Sequence, residues 1–145
     1  MSLGERTAGI VAKLRERGHS LTMPRIAVIE EFAGRADHPS AAMLHEALRA
    51  RHPGIALSTI YDTLSLLVEI GEAAEVAPGD VARRFDPNIG DHCHLVCTEC
   101  GSVLDLPVDA CTEVHAEALR GTGFEVRRHV HEIVGRCANC RKRSS

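Results

Sequence analysis

The stretch Asp91-His92-Cys93-His94-Leu95-Val96-Cys97-Thr98-Glu99-Cys100-Gly101 decides the reading of this chain, together with Cys137-Ala138-Asn139-Cys140 near its end. Each Cys-x-x-Cys pair closes a tight chelating knuckle, and two knuckles fill the tetrahedral sphere of a structural Zn²⁺. Cys97, Cys100, Cys137 and Cys140 therefore predict one closed four-cysteine zinc site. Such a site has no use for Asp86, Asp91, His92 and His94, so these carboxylates and imidazoles point to a second, exchangeable metal.

Working outward, the 145 residues allow one domain of ordinary size or two small ones. One Tyr, three Phe and no Trp leave the core to aliphatic side chains. No apolar run is long enough to span a bilayer, and residues 1–18 lack the apolar segment of a signal peptide, which points to the cytoplasm. In that reducing compartment paired cysteines favour metal over disulfide, and Cys93 and Cys111 are left as unpaired, buried, small hydrophobes. The net charge of −3 gives no global attraction to nucleic acid. Residues 1–71 balance eight Lys/Arg against eight Asp/Glu, and residues 72–145 carry nine against twelve, so any DNA affinity rests on local placement. Lys13, Arg15 and Arg17 precede a turn and Arg25 follows it.

Up to Gly71 the pattern is helical: Ile10, Val11 and Leu14 share a face, then Ile26, Ile29 and Phe32, then Leu44, Ala47 and Leu48, then Ile60, Leu64 and Leu67. Thr22, Ser40 and Ser58 are the expected N-caps of the second, third and fourth helices. Strands over 73–76 and 81–85 flank a Pro78-Gly79-Asp80 turn, giving a helix-turn-helix with a β-hairpin wing and a recognition helix over 58–70. Residues 86–90 read as a hinge. Beyond it come strands over 94–96 and 103–106 joined by the first knuckle, a helix over 108–120, and an alternating strand over 124–134. The predicted fold is α+β: a winged helix-turn-helix DNA-binding domain (1–85), a hinge (86–91), and a small α/β dimerisation and metal-binding domain (92–145) with the four-cysteine zinc site.

Leu21-Thr22-Met23-Pro24-Arg25, Ser58-Thr59-Ile60-Tyr61, His92-x-His94-x-x-Cys97-x-x-Cys100-Gly101 and Cys137-x-x-Cys140 together resemble the ferric uptake regulator (Fur) family of metal-dependent repressors, over nearly the whole chain. The resemblance implies a structural Zn²⁺ on Cys97, Cys100, Cys137 and Cys140. It also implies a regulatory metal on His38, Asp86, His92, His94 and Asp105, a nitrogen and oxygen set that suits Fe²⁺ or Mn²⁺. Its expected partners are double-stranded operator DNA and a second copy of the chain, with Arg25, Ser58, Thr59, Tyr61 and Asp62 at the DNA. Metal spanning both domains is expected to close the hinge and set a dimer's recognition helices for successive major grooves.

Arg84-Phe85-Asp86 ahead of Asp91-His92-Cys93-His94, with Asp at 105, looks like the peroxide-sensing PerR branch. There Fe²⁺ reacts with hydrogen peroxide and an oxygen enters a ligand imidazole, so His38 and His92 are the oxidation candidates. Ser20 stands where many relatives carry a cation, and Asp62 where Arg or Asn is usual. A carboxylate there can accept from cytosine N4, which would alter base preference. Tyr61 suits either a thymine methyl or a contact with the wing. Asp91, Cys93 and His129, with His131 or Glu113, can form a partial further site. Metal-assisted hydrolysis is the alternative chemistry, but a His-Glu-x-x-His helix is missing and five protein ligands leave little room for substrate. A zinc-stabilised dimeric DNA-binding protein without metal sensing is the other alternative, and so is an iron- or manganese-responsive repressor indifferent to peroxide.

Overall fold

A computed structural model describes residues 1–76, 82–107, 119–125 and 130–143. They form two compact units, one from residues 1–76 and 82–89, the other from the described residues after 89. No helix among the described residues is long and apolar enough to cross a membrane.

The first unit is built on four helices: α1 (Leu3–Glu16), α2 (Met23–Ala33), α3 (Ala41–Leu48) and α4 (Leu57–Glu69). Ser2 caps α1 in a capping box with Glu5, Thr22 caps α2 ahead of Pro24 in its first turn, and Ser40 caps α3. Each hydroxyl satisfies an N–H that the helix itself leaves without a partner. The faces the periodicity marks do pack together: Ile10, Leu14, Ile29, Phe32, Leu44, Leu48, Ile60, Leu64 and Leu67 are buried in one aliphatic core. Val11, Ile26 and Ala47 lie at its margin, and Thr7 takes the inward position on α1.

The start of α4 corrects one expectation. Its N-cap is Ala56, no side chain accepts from the leading N–H groups, and Ser58 is the second residue of the helix. The entry is fixed by apolar packing: Ile55 and Ile60, in the N′ and N4 positions of a hydrophobic staple, are both buried in the common core.

The wing pairs β1 (Ala74–Val76) antiparallel to β2 (Arg84–Asp86), with Ala74 opposite Asp86 and Val76 opposite Arg84. The second strand runs over 84–86 where 81–85 was expected, with Ala82 and Arg83 irregular, and residues 77–81, which include the turn, lie outside the described residues. The register has a physical cause. The Phe85 N–H donates to the Pro39 carbonyl at 3.0 Å, so β2 is held between β1 and the turn before α3. Asp86, expected to open the hinge, is the last residue of this strand.

The second unit holds a sheet in the order β4-β3-β5, from β3 (His92–Cys97), β4 (Val103–Leu106) and β5 (Val130–Gly135). β3 is antiparallel to β4 and parallel to β5. It starts two residues earlier than predicted because the ladder with β5 already begins at His92 opposite Val130. β5 reaches Gly135, one residue past the expected end; residues 126–129 of the 124–134 expectation lie outside the described residues, and Phe124 is irregular and 79% exposed. A short helix, α5 (Ala138–Arg143), follows. Residues 108–118 of the predicted fifth helix lie outside the described residues.

Candidate metal centres and nucleic-acid interface

Cys97 ends β3, and the following turn closes through Gly101 N–H to the Cys97 carbonyl (2.9 Å) and Cys97 N–H to the Ser102 carbonyl (2.9 Å). Gly101 sits at φ 70°, a left-handed conformation natural to glycine, and this turns the chain inside the knuckle. Thr98 N–H donates to the Gly135 carbonyl at 2.9 Å, which brings the end of β5 and the second knuckle alongside. As a result the sulfurs of Cys97, Cys100, Cys137 and Cys140 lie within 4.8 Å of one another. Cys100 and Cys137 are 3.8 Å apart. A tetrahedral ion with Zn–S bonds of about 2.3 Å needs sulfur–sulfur edges of about 3.8 Å, which the Cys100–Cys137 pair already matches.

Backbone N–H groups of Cys100 and Cys137 hydrogen-bond the Cys97 sulfur and bring its thiol from 9.0 down to about 6. The Ser102 hydroxyl, 3.2 Å away, lowers Cys100 as well. Cys140 goes up to about 12, since its hydrogen bond to the Cys137 sulfur and its burial disfavour another thiolate in the cluster. Four sulfurs this close become thiolates together only when a cation neutralises them.

Elsewhere in the second unit, His92 and His94 share one face of β3, and Asp105 stands opposite His94 on β4. Their Nε2 atoms are 2.7 Å apart, with the rings at 86° and centroids 4.4 Å apart. Asp105 Oδ1 lies 3.4 Å from His92 Nε2 and 3.5 Å from His94 Nε2. His92 Nδ1 meets the Gly90 carbonyl at 2.6 Å, which assigns the proton to Nδ1 and leaves Nε2 a lone pair. Two buried imidazoles and a carboxylate thus converge as a nitrogen and oxygen donor set. The Gly90 carbonyl is a part of this arrangement that no side-chain pattern announces.

In the first unit His38 is 2% exposed and its Nε2 lies 3.4 Å from Asp86 Oδ1, itself fully buried. His38 adopts φ 47°, a left-handed conformation that is costly for a non-glycine residue and disfavoured before proline. Backbone held in such a state is over-determined by its surroundings and clusters at functional sites. Here the surroundings are the Pro39 carbonyl bonded to β2 and the Arg84 guanidinium donating to the His38 carbonyl at 3.4 Å. Asn88 N–H caps Asp86 Oδ1 at 2.7 Å.

Cys93 corrects a second expectation: it is buried and disulfide-bonded. Sequence spacing marks metal knuckles but carries no sign of such a pairing. A disulfide sulfur is a poor ligand, so the further site read from Asp91 and Cys93 loses its thiolate, and Glu113 and His129 lie outside the described residues.

On the helical unit, Ser58, Tyr61 and Asp62 are exposed on the first two turns of α4, with Tyr61 39% exposed and Thr59 half-buried. Arg25 is half-buried in the first turn of α2, its guanidinium donating to the Ser20 carbonyl.

A winged helix-turn-helix unit, followed by a small α/β unit with a four-cysteine cluster and a histidine–carboxylate set, defines a class of metal-binding DNA-reading proteins. The Ferric uptake regulator family model matches residues 16–134. The Peroxide operon regulator of Bacillus subtilis (strain 168) is 34% identical over 132 residues, covering 91% of each chain. The Peroxide-responsive repressor PerR of Staphylococcus epidermidis is 34% identical over 132 residues, covering 91% of this chain and 88% of the relative. Among solved structures, Helicobacter pylori Fur shares the fold at a TM-score of 0.83 and 15% identity, over 97% of this chain and 95% of that one. PerR from Streptococcus pyogenes matches at a TM-score of 0.53 and 29% identity, over 92% of both chains. The chain belongs to the Ferric uptake regulator family.

Proposed function

We propose that this protein is a homodimeric, metal-dependent transcriptional repressor that senses peroxide in the cytoplasm. The observation that carries this reading is the donor set on β3 and β4, where His92 and His94 aim their Nε2 atoms at one point beside Asp105. The chain's likeness to peroxide regulators of Bacillus and Staphylococcus supports the peroxide response.

In this reading Cys97, Cys100, Cys137 and Cys140 hold a structural Zn²⁺, and His38 and Asp86 join His92, His94 and Asp105 on one regulatory Fe²⁺ or Mn²⁺. An Fe²⁺ held there would make one-electron reduction of hydrogen peroxide available, chemistry that Mn²⁺ would supply far less readily. The chain's residues do the rest. The Gly90 carbonyl keeps the His92 proton on Nδ1 so that Nε2 can ligate. Ligands drawn from both units favour the arrangement in which α4 of each protomer enters a major groove. One oxygen gained by the imidazole of His38 or His92 removes a ligand and with it that preference, and the DNA is released.

The test is selection of duplexes from a random library by the full-length protein. Mn²⁺-loaded protein is expected to enrich a palindromic site, with enrichment lost on chelation and in His92→Ala. Equal enrichment with and without metal would overturn metal dependence.

A further inference from the structure

We propose that Asp62 selects a cytosine in each operator half-site by accepting a hydrogen bond from its N4 amino group; this rests on the DNA-binding reading above. The outer face of α4 presents Ser58, Tyr61, Asp62, Ser65 and Glu69, all exposed. Among the described residues none of these side chains has a hydrogen-bond or ion-pair partner in the protein. Residues 57–69 contain no Lys or Arg at all.

That composition restricts what the helix can read. In the major groove guanine offers only the acceptors N7 and O6, which call for Arg or Lys, and α4 has neither. A carboxylate is an acceptor only, so it needs an amino group on the base edge. Adenine N6 provides one, but its neighbour N7 is an acceptor that repels a carboxylate. Cytosine N4 stands without an adjacent acceptor of its own, and so it is the better match for Asp62. Placement separates the two carboxylates of the row. Asp62 lies in the second turn of α4, and Glu69 is its last residue. Base contacts come from the N-terminal part of a recognition helix, which favours Asp62. Repulsion from the phosphates makes an unpartnered carboxylate here costly in affinity unless a base repays it, so the same residue that weakens binding to other sequences would sharpen the choice of this one.

The experiment compares full-length, Mn²⁺-loaded protein with its Asp62→Ala and Asp62→Asn variants in selection from a random duplex library, followed by affinity measurements on the selected sites. The wild type is expected to require cytosine at one position per half-site, with about a tenfold loss when that base pair is replaced. Asp62→Ala should leave that position unconstrained while the others keep their preferences, and Asp62→Asn should shift it toward adenine, which an amide matches at both N6 and N7. Unchanged base preferences at every position in Asp62→Ala would overturn the inference while leaving the DNA-binding reading in place. Enrichment of no sequence by the wild type would overturn that reading, and this inference with it.

Discussion

The Nε2 atoms of His92 and His94 lie 2.7 Å apart on one face of β3. Two imidazoles approach this closely only if a proton or a cation lies between their lone pairs. With the His92 proton committed to the Gly90 carbonyl through Nδ1, its Nε2 lone pair is open either to a His94 Nε2–H or to a cation that both rings ligate, and the second is the arrangement the regulatory site needs. His92→Ala is therefore expected to leave the thermal unfolding of the metal-free protein within a few degrees of the parent while removing Mn²⁺-stimulated DNA binding. Calorimetric Mn²⁺ titration and fluorescence anisotropy on a selected duplex check the two halves. A normal metal response in this variant would displace the regulatory site from β3.

His38 allows the functional and structural contributions of a single residue to be separated. Its left-handed backbone, φ 47°, is tolerated better by Asn than by most residues. His38→Asn should therefore remain folded, with a stability change of about 1–2 kcal/mol, and yet lose the metal response. Urea unfolding with and without Mn²⁺ measures both. Stabilisation of the variant by Mn²⁺ equal to that of the parent would remove His38 from the ligand set.

Zinc holds the second unit together in this account. Its described sheet has three short strands, and the four-cysteine cluster ties the end of β5 and α5 to the turn after β3. Structural zinc in small domains supplies on the order of ten kcal/mol of folding energy. Cys97→Ser is expected to lose one zinc per chain and the amide-exchange protection of β3 to β5, while the helices of the first unit keep theirs. Full protection of the sheet in that variant would refute the role.

Acid should release this zinc in a defined direction. A thiol whose folded value is depressed keeps its thiolate, and the stabilisation that comes with it, above the ordinary value, and loses both as pH falls through the folded one. Cys97 is held at about 6 by the N–H groups of Cys100 and Cys137. Protons compete with zinc for that thiolate, so zinc should be released on acidification and kept as the pH is raised. A chromogenic chelator titration follows the release, and loss of zinc on raising the pH from 6 to 8 would contradict the assignment.

Much of this was legible in the residues because the strongest signals are local. Thr22 and Ser40 cap the helices their positions announce, and the spacing of Cys97, Cys100, Cys137 and Cys140 requires nothing beyond two turns brought side by side. What escaped depends on distant partners. Ser58 follows the capping rule, yet burial of Ile55 and Ile60 starts α4 earlier. The register of β2 is set by the Pro39 carbonyl, far away in sequence. The strained backbone of His38 follows from that same docking, and the disulfide at Cys93 from a pairing that spacing does not encode.

Peptide mass spectrometry separates a peroxide-labile regulatory iron from one indifferent to peroxide. Protein loaded anaerobically with Fe²⁺ is given a small excess of hydrogen peroxide beside an Mn²⁺-loaded control. One added oxygen is expected on His38 or His92 in the iron sample alone, together with loss of DNA binding. Unmodified histidines with DNA binding retained would contradict it and leave an iron- or manganese-responsive repressor.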